Sequence, residues 1–156
     1  MIRVLFVCLG NICRSPMAEG LFKKYVEDKG MKDFFKIQSR ATSTWEVGNP
    51  PHPGTQKILN MLNVSIDGME SKKITKSDFE NFDYIIGMDH DNINYLYKMG
   101  QGYHHKIHLY RDVNPNTNQQ IIPDPYHTGK YEETYQLLDA DMHLWFERMI
   151  AEMKDK

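Results

Sequence analysis

Ile2 to Val7 is a short, nearly unbroken apolar run (Ile2, Val4, Leu5, Phe6, Val7), the pattern of a strand covered on both faces. From Pro16 the spacing becomes helical, with Met17, Leu21, Phe22, Tyr25 and Val26 on one face. Ser15 stands where an N-cap belongs and Pro16 where a first helical residue belongs. Further on, residues 34–38 predict a second strand, 54–62 a helix and 76–82 a short helical turn. Residues 84–88 predict a third strand, with Asp89 as N-cap before a helix over 92–98, and 106–110 predict a fourth strand. A final helix places Tyr135, Leu138, Met142, Trp145, Phe146 and Met149 on one face. This alternation predicts an α/β fold: a single-domain, doubly wound, four-stranded parallel sheet with helices on both faces, spanning residues 1–156. Such sheets bind ligands beyond the carboxyl ends of their strands, where Cys8 and Asp89 both fall.

Composition narrows the classes. Nineteen Lys and Arg against twenty-one Asp and Glu give a formal charge of −2, with no basic stripe of the kind nucleic acid requires. No apolar run approaches membrane-spanning length and the N-terminus reads as strand, so a cytoplasmic protein without membrane insertion is expected. Both cysteines, Cys8 and Cys13, lie within one turn, which argues for a reducing compartment over a disulfide scaffold. His104, His105 and His108 invite a metal reading, but a strand there would send His105 and His108 to opposite faces, and no metal or other cofactor is expected. The ten methionines are scattered and read as core. Tyr95, Tyr97, Tyr103 and Tyr110 read as half-buried surface aromatics.

The chemistry concentrates in the turn between the first strand and the first helix. Cys8 and Arg14 bracket Leu9, Gly10, Asn11, Ile12 and Cys13, and Ser15 follows. A helix N-terminus offers unpaired amides and a favourable dipole to an anion, so this is a phosphate-binding loop that holds a thiol. The nucleophile is the thiolate, a form favoured by the helix N-terminus and the Arg14 guanidinium together. Arg holds two phosphoryl oxygens in a bidentate fork, which Lys cannot do. Gly10 permits close backbone approach, Asn11 suits a left-handed position, and Ser15 is placed to donate a hydrogen bond to the sulfur.

The stretch from Val7 to Glu19 closely resembles the signature of the low-molecular-weight protein tyrosine phosphatases, and the resemblance extends over essentially the whole chain. Ser39 followed by Trp45-Glu46-Val47-Gly48 is similar to that family's second loop, residues 82–89 to its third strand and following turn, and Asp124-Pro125-Tyr126 to its acid loop. The resemblance implies hydrolysis of phosphotyrosine in partner phosphoproteins through a phosphocysteine on Cys8, with Arg14 as phosphate clamp. A phenolate leaves faster if protonated as its bond breaks, and the signature loop contains no general acid. Asp124, stiffened between Pro123 and Pro125, is the best candidate, and the resemblance implies the same role. Trp45, Tyr126 and Ile12 are implied as pocket walls and Ser39 as support for Asn11. Cys13 in the folded loop would lie near Cys8, and relatives with this pair imply a reversible protective disulfide. A monomer or weak dimer is expected. The chain departs from the family pattern at residues 69–73, where a His and an Arg are frequent, and at His127, where many relatives carry a second tyrosine.

Three rival activities are weighed against this reading. Arsenate reductases on this scaffold relay oxidation to further cysteines, which this chain does not contain beyond Cys13. Protein-arginine phosphatases carry Thr where Ile12 stands, and an apolar residue suits a phenyl ring better than a guanidinium. A phosphocysteine carrier or a silent phosphotyrosine-binding module would not need both Cys8 and Asp124.

Overall fold

The computed structural model describes residues 1–155. Four strands, β1 (Ile2–Cys8), β2 (Phe35–Ala41), β3 (Tyr84–Gly87) and β4 (Ile107–Leu109), form one parallel sheet in the order β2-β1-β3-β4. The connecting helices are α1 (Arg14–Asp28), α2 (Pro53–Met61), α3 (Lys76–Asn81) and α4 (His90–Met99). After β4 come two 3-10 turns, a single-turn α5 (Pro125–Thr128) and the long α6 (Tyr131–Lys154). No described helix is long and apolar enough to cross a membrane.

Alternation along β1 divides the core. Val4, Phe6 and Cys8 face one cluster, where Met17, Phe22, Leu138 and Trp145 of α1 and α6 pack. Leu5 and Val7 face the other, with Phe79 of α3 and Leu96 of α4. Both faces of the strand are therefore dry, which explains its unbroken apolar run. The larger cluster is aromatic, with Phe22 edge-on to Phe6 and Phe35 at centroid distances of 5.9 and 5.7 Å.

Tyr110 corrects its reading as a half-buried surface aromatic: it is fully buried. Its hydroxyl donates to the Leu138 carbonyl at 2.6 Å, and its own carbonyl accepts from Trp145 Nε1 at 2.9 Å. A tyrosine enters a core when its hydroxyl finds a partner there, and that partner sits 28 residues away on α6.

Several boundaries differ from expectation. The β2 strand runs on to Ala41, past the predicted residue 38, because Ser39, Arg40 and Ala41 pair with Phe6, Val7 and Cys8 despite their polar content. Helix α1 starts at Arg14 with Cys13 in the N-cap position, so Ser15 lies in the first turn and not at the cap. That shift aims the Ser15 amide at the Cys8 sulfur, 3.4 Å away. Asp89 caps α4 as expected, its Oδ1 accepting from the Asn92 amide at 2.8 Å. The predicted fourth strand loses its first residue to a 3-10 turn, His104–Lys106, and its last to another, Tyr110–Val113.

Candidate active site

The loop from Cys8 to Ser15 is held by its carbonyls. Cys8 O accepts from the Thr42 amide (3.0 Å) and Leu9 O from the Ser43 amide (3.1 Å) and Ser43 Oγ (2.9 Å). Gly10 O accepts from Ser71 Oγ (2.8 Å), Ile12 O from the His52 amide (2.8 Å), and Cys13 O from Thr55 Oγ1 (3.2 Å). With these carbonyls turned outward and satisfied, the loop's amides are left to its concave side. Such a nest, continued by the first turn of a 15-residue helix, is an anion site.

The turn needs one residue in the left-handed region, and Asn11 takes it at φ 56°. Its side chain explains how. Nδ2 donates to Ser15 Oγ (2.8 Å) and Ser39 Oγ (2.9 Å), while Oδ1 accepts from the Lys72 amide (3.1 Å). Ser39 Oγ in turn donates to Glu19 Oε1 (2.6 Å), whose other oxygen meets Lys23 Nζ at 2.5 Å. Donor counting then orients the last proton. Ser15 Oγ accepts from Asn11 and lies 3.0 Å from Cys8 Sγ, so once the sulfur has lost its proton the Ser15 hydroxyl is the donor of that bond. The sulfur thus sits, 2 % exposed, between a hydroxyl and a backbone amide.

Arg14 is equally buried, at 2 % exposure. Its Nη1 donates to Asp89 Oδ2 (2.6 Å) and to the Ile122 carbonyl (2.9 Å). Burial alone would pull its pKa down, but Cys8 and then Asp89 outweigh it and raise the pKa further. Among the described residues Nε is buried with no hydrogen-bond partner, and Nη2 has the Asp124 carboxylate at 3.6 Å. One edge of the guanidinium is therefore anchored, and the other is free for a bidentate oxyanion.

Asp124 comes from the segment between the 3-10 turns and α5. It is the N-cap of that short helix, its Oδ1 accepting from the Tyr126 amide at 3.1 Å. Its other oxygen lies 3.6 Å from Arg14 Nη2 and 3.9 Å from His127 Nε2. The carboxylate borders a cavity of about 140 Å³ that Cys8, Ile12, Cys13 and Arg14 also line. Trp45 and Tyr126, 77 % and 58 % exposed, stand at this cavity's mouth with Glu46 and His127. Every sequence-predicted loop residue except Asn11 and Ser15 lines the cavity, and those two support it from behind.

Four contributors were not legible as site residues. Asp89 was assigned capping alone, yet its second oxygen anchors Arg14. Glu19 reads as an ordinary helix residue, yet it is buried and ends the chain of bonds from Asn11. Ser71 and Lys72 lie in the segment that departs from the expected pattern, yet they brace Gly10 and Asn11, Lys72 through its backbone. Only Glu19 carried a local signal, lying four residues before Lys23 on the helix.

Cys13 is buried, its Sγ 3.5 Å from the Tyr131 hydroxyl. Burial pushes its thiol up to about 12, although the Tyr131 hydrogen bond works in the opposite direction.

Likeness to known proteins agrees with this geometry along the whole chain. The YfkJ protein of Bacillus subtilis, described as a low molecular weight protein-tyrosine-phosphatase, is 46% identical over 140 residues, 88% of this chain and 89% of that one. Its crystal structure superposes with a TM-score of 0.93 at 41% identity, covering 97% of this chain and 96% of that one. The Streptococcus pyogenes protein SP-PTP, titled a low molecular weight protein tyrosine phosphatase, has a TM-score of 0.83 at 48% identity over 95% of this chain and 93% of its own. A sequence model of one family, described as low molecular weight phosphotyrosine protein phosphatase, matches residues 3–155. A loop built to enclose an oxyanion around a thiol is thus the centre of a chain that belongs, over nearly its full length, to the low molecular weight phosphotyrosine protein phosphatases.

Proposed function

We propose that the protein hydrolyses phosphotyrosine in phosphoproteins through a phosphocysteine on Cys8. One observation carries this reading: Cys8, Arg14 and Asp124 line a single cavity whose mouth is flanked by Trp45 and Tyr126. The phosphoryl group would occupy the nest, its oxygens on the loop amides and on the free edge of Arg14. The phenyl ring would lie against Ile12 between the two aromatic walls.

In the first step the Cys8 thiolate attacks phosphorus in line and the phosphorus–oxygen bond to tyrosine breaks. Asp124, carrying its proton with the phosphate close by, gives that proton to the departing phenolate. In the second step Asp124 takes a proton from water, which attacks phosphorus and expels the Cys8 thiolate. Ser15 supports both steps by donating to the sulfur when it is charged. Asp89 acts through Arg14, holding one edge of the guanidinium so that the other remains on the phosphoryl oxygens. Cys13 belongs to the same reading as a resolving thiol, closing a disulfide with Cys8 after oxidation and guarding it from irreversible states.

The direct experiment is rapid quench with a radiolabelled aryl phosphate followed by peptide mapping. A phosphocysteine on the Cys8 peptide is expected. Label appearing on a histidine or aspartate peptide, or hydrolysis with no covalent intermediate, would overturn the mechanism.

A further inference from the structure

Tyr131, the first residue of α6, lies beside the catalytic constellation. Its hydroxyl is 3.5 Å from Cys13 Sγ, within hydrogen-bond range for sulfur. Its ring is clamped from two sides. The His52 imidazole stacks on it at 5.0 Å with planes 12° apart. Gly54 packs beneath it so closely that a Cβ there would fall 2.6 Å from ring carbons. Both clamping residues belong to the start of α2, which also holds the loop backbone. The His52 amide donates to Ile12 O and Thr55 Oγ1 donates to Cys13 O. With the Cys13 backbone fixed, only its side chain has freedom to turn, and the Tyr131 hydroxyl is the polar group that meets it.

We infer that Tyr131 is the positioning residue that makes Cys13 a competent resolving thiol, by donating its hydroxyl hydrogen to the Cys13 sulfur as that sulfur ionises. This rests on the reading of Cys13 as the resolving partner of Cys8. A buried thiol surrounded by apolar groups is inert, and Cys13 is buried. Burial dominates its raised pKa, Tyr131 opposes it foremost, and the Tyr131 phenol is itself raised by burial and by this contact, so it keeps its proton and acts as donor.

The chemistry balances with hydrogen peroxide as oxidant. The Cys8 thiolate attacks one peroxide oxygen, the O–O bond breaks, and hydroxide leaves a sulfenic acid on Cys8. The Cys13 sulfur then attacks the Cys8 sulfur, an S–S bond forms and the S–O bond breaks. The departing hydroxide collects the Cys13 proton as water. Two thiols and one peroxide give one disulfide and two waters, and Tyr131 ends with the proton it began with.

The test follows the Cys8–Cys13 disulfide and the Cys8 sulfinic acid by quenched mass spectrometry after a pulse of hydrogen peroxide. Tyr131→Phe keeps the ring stacked on His52 but removes the donor. It is expected to close the disulfide about tenfold more slowly than wild type, the value of one hydrogen bond to a developing charge, with sulfinic acid accumulating in its place. The first oxidation, read as loss of activity, should keep the wild-type rate. Gly54→Ala retains the hydroxyl but displaces the ring, and should slow closure likewise. Closure in Tyr131→Phe at the wild-type rate or faster would overturn the inference, marking the contact as packing or as a restraint. The underlying reading fails separately: then wild type itself shows no Cys8–Cys13 peptide at any dose.

Discussion

The two segments that meet over the cavity are built in opposite ways. The loop from Cys8 to Ser15 is buried almost throughout and tied by bonds to β2, to the start of α2 and to residues 71–72. The acid segment at Asp124 holds its carboxylate through one amide two residues away and a 3.6 Å approach to Arg14, in a side chain 21 % exposed. Tyr126 and His127 beside it are exposed. On the proposed mechanism, the contrast follows from what each segment does. Charge develops on the phosphoryl oxygens in a fixed place, so their donors gain from being immobile and preorganised. A group that gives a proton to one oxygen and later takes one from water must stay accessible to both.

The difference is broken most completely on the rigid side. Cys8→Ser is expected to abolish turnover while leaving fold and phosphate binding intact, because a serine hydroxyl is not ionised near neutral pH. Phosphate protection of the melting temperature, alongside a turnover assay, checks both halves. Wild-type burst kinetics in this variant would remove Cys8 from its role. Arg14→Lys should come close in severity, since a point charge cannot hold Asp89 with one edge and phosphate with the other.

Next in size is the accessible side. Asp124→Asn should slow hydrolysis of a phenyl phosphate by something on the order of 10²- to 10⁴-fold. The loss should shrink when the leaving group is a nitrophenolate that needs little protonation. Equal losses on the two substrates would show that Asp124 does not supply the proton.

The second layer of the rigid side offers a finer probe. Ser39→Ala strips Asn11 Nδ2 of an acceptor and leaves Glu19 Oε1 without a donor. Unsatisfied buried groups of this kind cost about 1–3 kcal/mol each. We expect a melting temperature lower by several degrees and a kcat reduced about tenfold with KM little changed, as Asn11 loses its hold on the left-handed turn. A change confined to KM would mean that Ser39 tunes binding alone.

The smallest effect concerns the acid limb and separates chemistry from folding. His108, on β4, has its pKa lowered to about 4, mainly by burial and further by Arg148. A histidine depressed from an ordinary value of about 6.5 favours folding above that value, and the benefit is lost as pH falls from about 6.5 towards 4. The contribution is on the order of 1–3 kcal/mol. His108→Gln should flatten the decline of the melting temperature across that window and leave neutral-pH turnover unchanged. A parallel decline in both proteins would assign the acid sensitivity to other groups.

How much of this was legible beforehand depends on the range of each interaction. Strand β1, the loop and helix α1 are contiguous, and their apolar period, Gly-Asn turn and Ser-Pro step mark them directly. Asp124 stood out because prolines flank it, and the family resemblance supplied its role. Tyr110 was misread because the partner that lets its hydroxyl enter the core is a carbonyl on α6, 28 residues away. Asp89 was half read: the cap is a bond to a residue three positions away, the anchor to Arg14 a bond across 75.

The sequence by itself determined the periodicities, the turn chemistry and the order of elements, since each follows from neighbours within a few residues. It therefore determined a parallel α/β sheet with a thiol at a helix N-terminus. Only the tertiary structure decided which donors take the loop carbonyls, which carboxylate anchors Arg14 and where Asp124 stands relative to the sulfur. Those pairings join residues far apart in the chain, as Arg14 is from Asp89 and from Asp124. They come into existence when the strands stack in the order β2-β1-β3-β4 and bury groups that must then find partners.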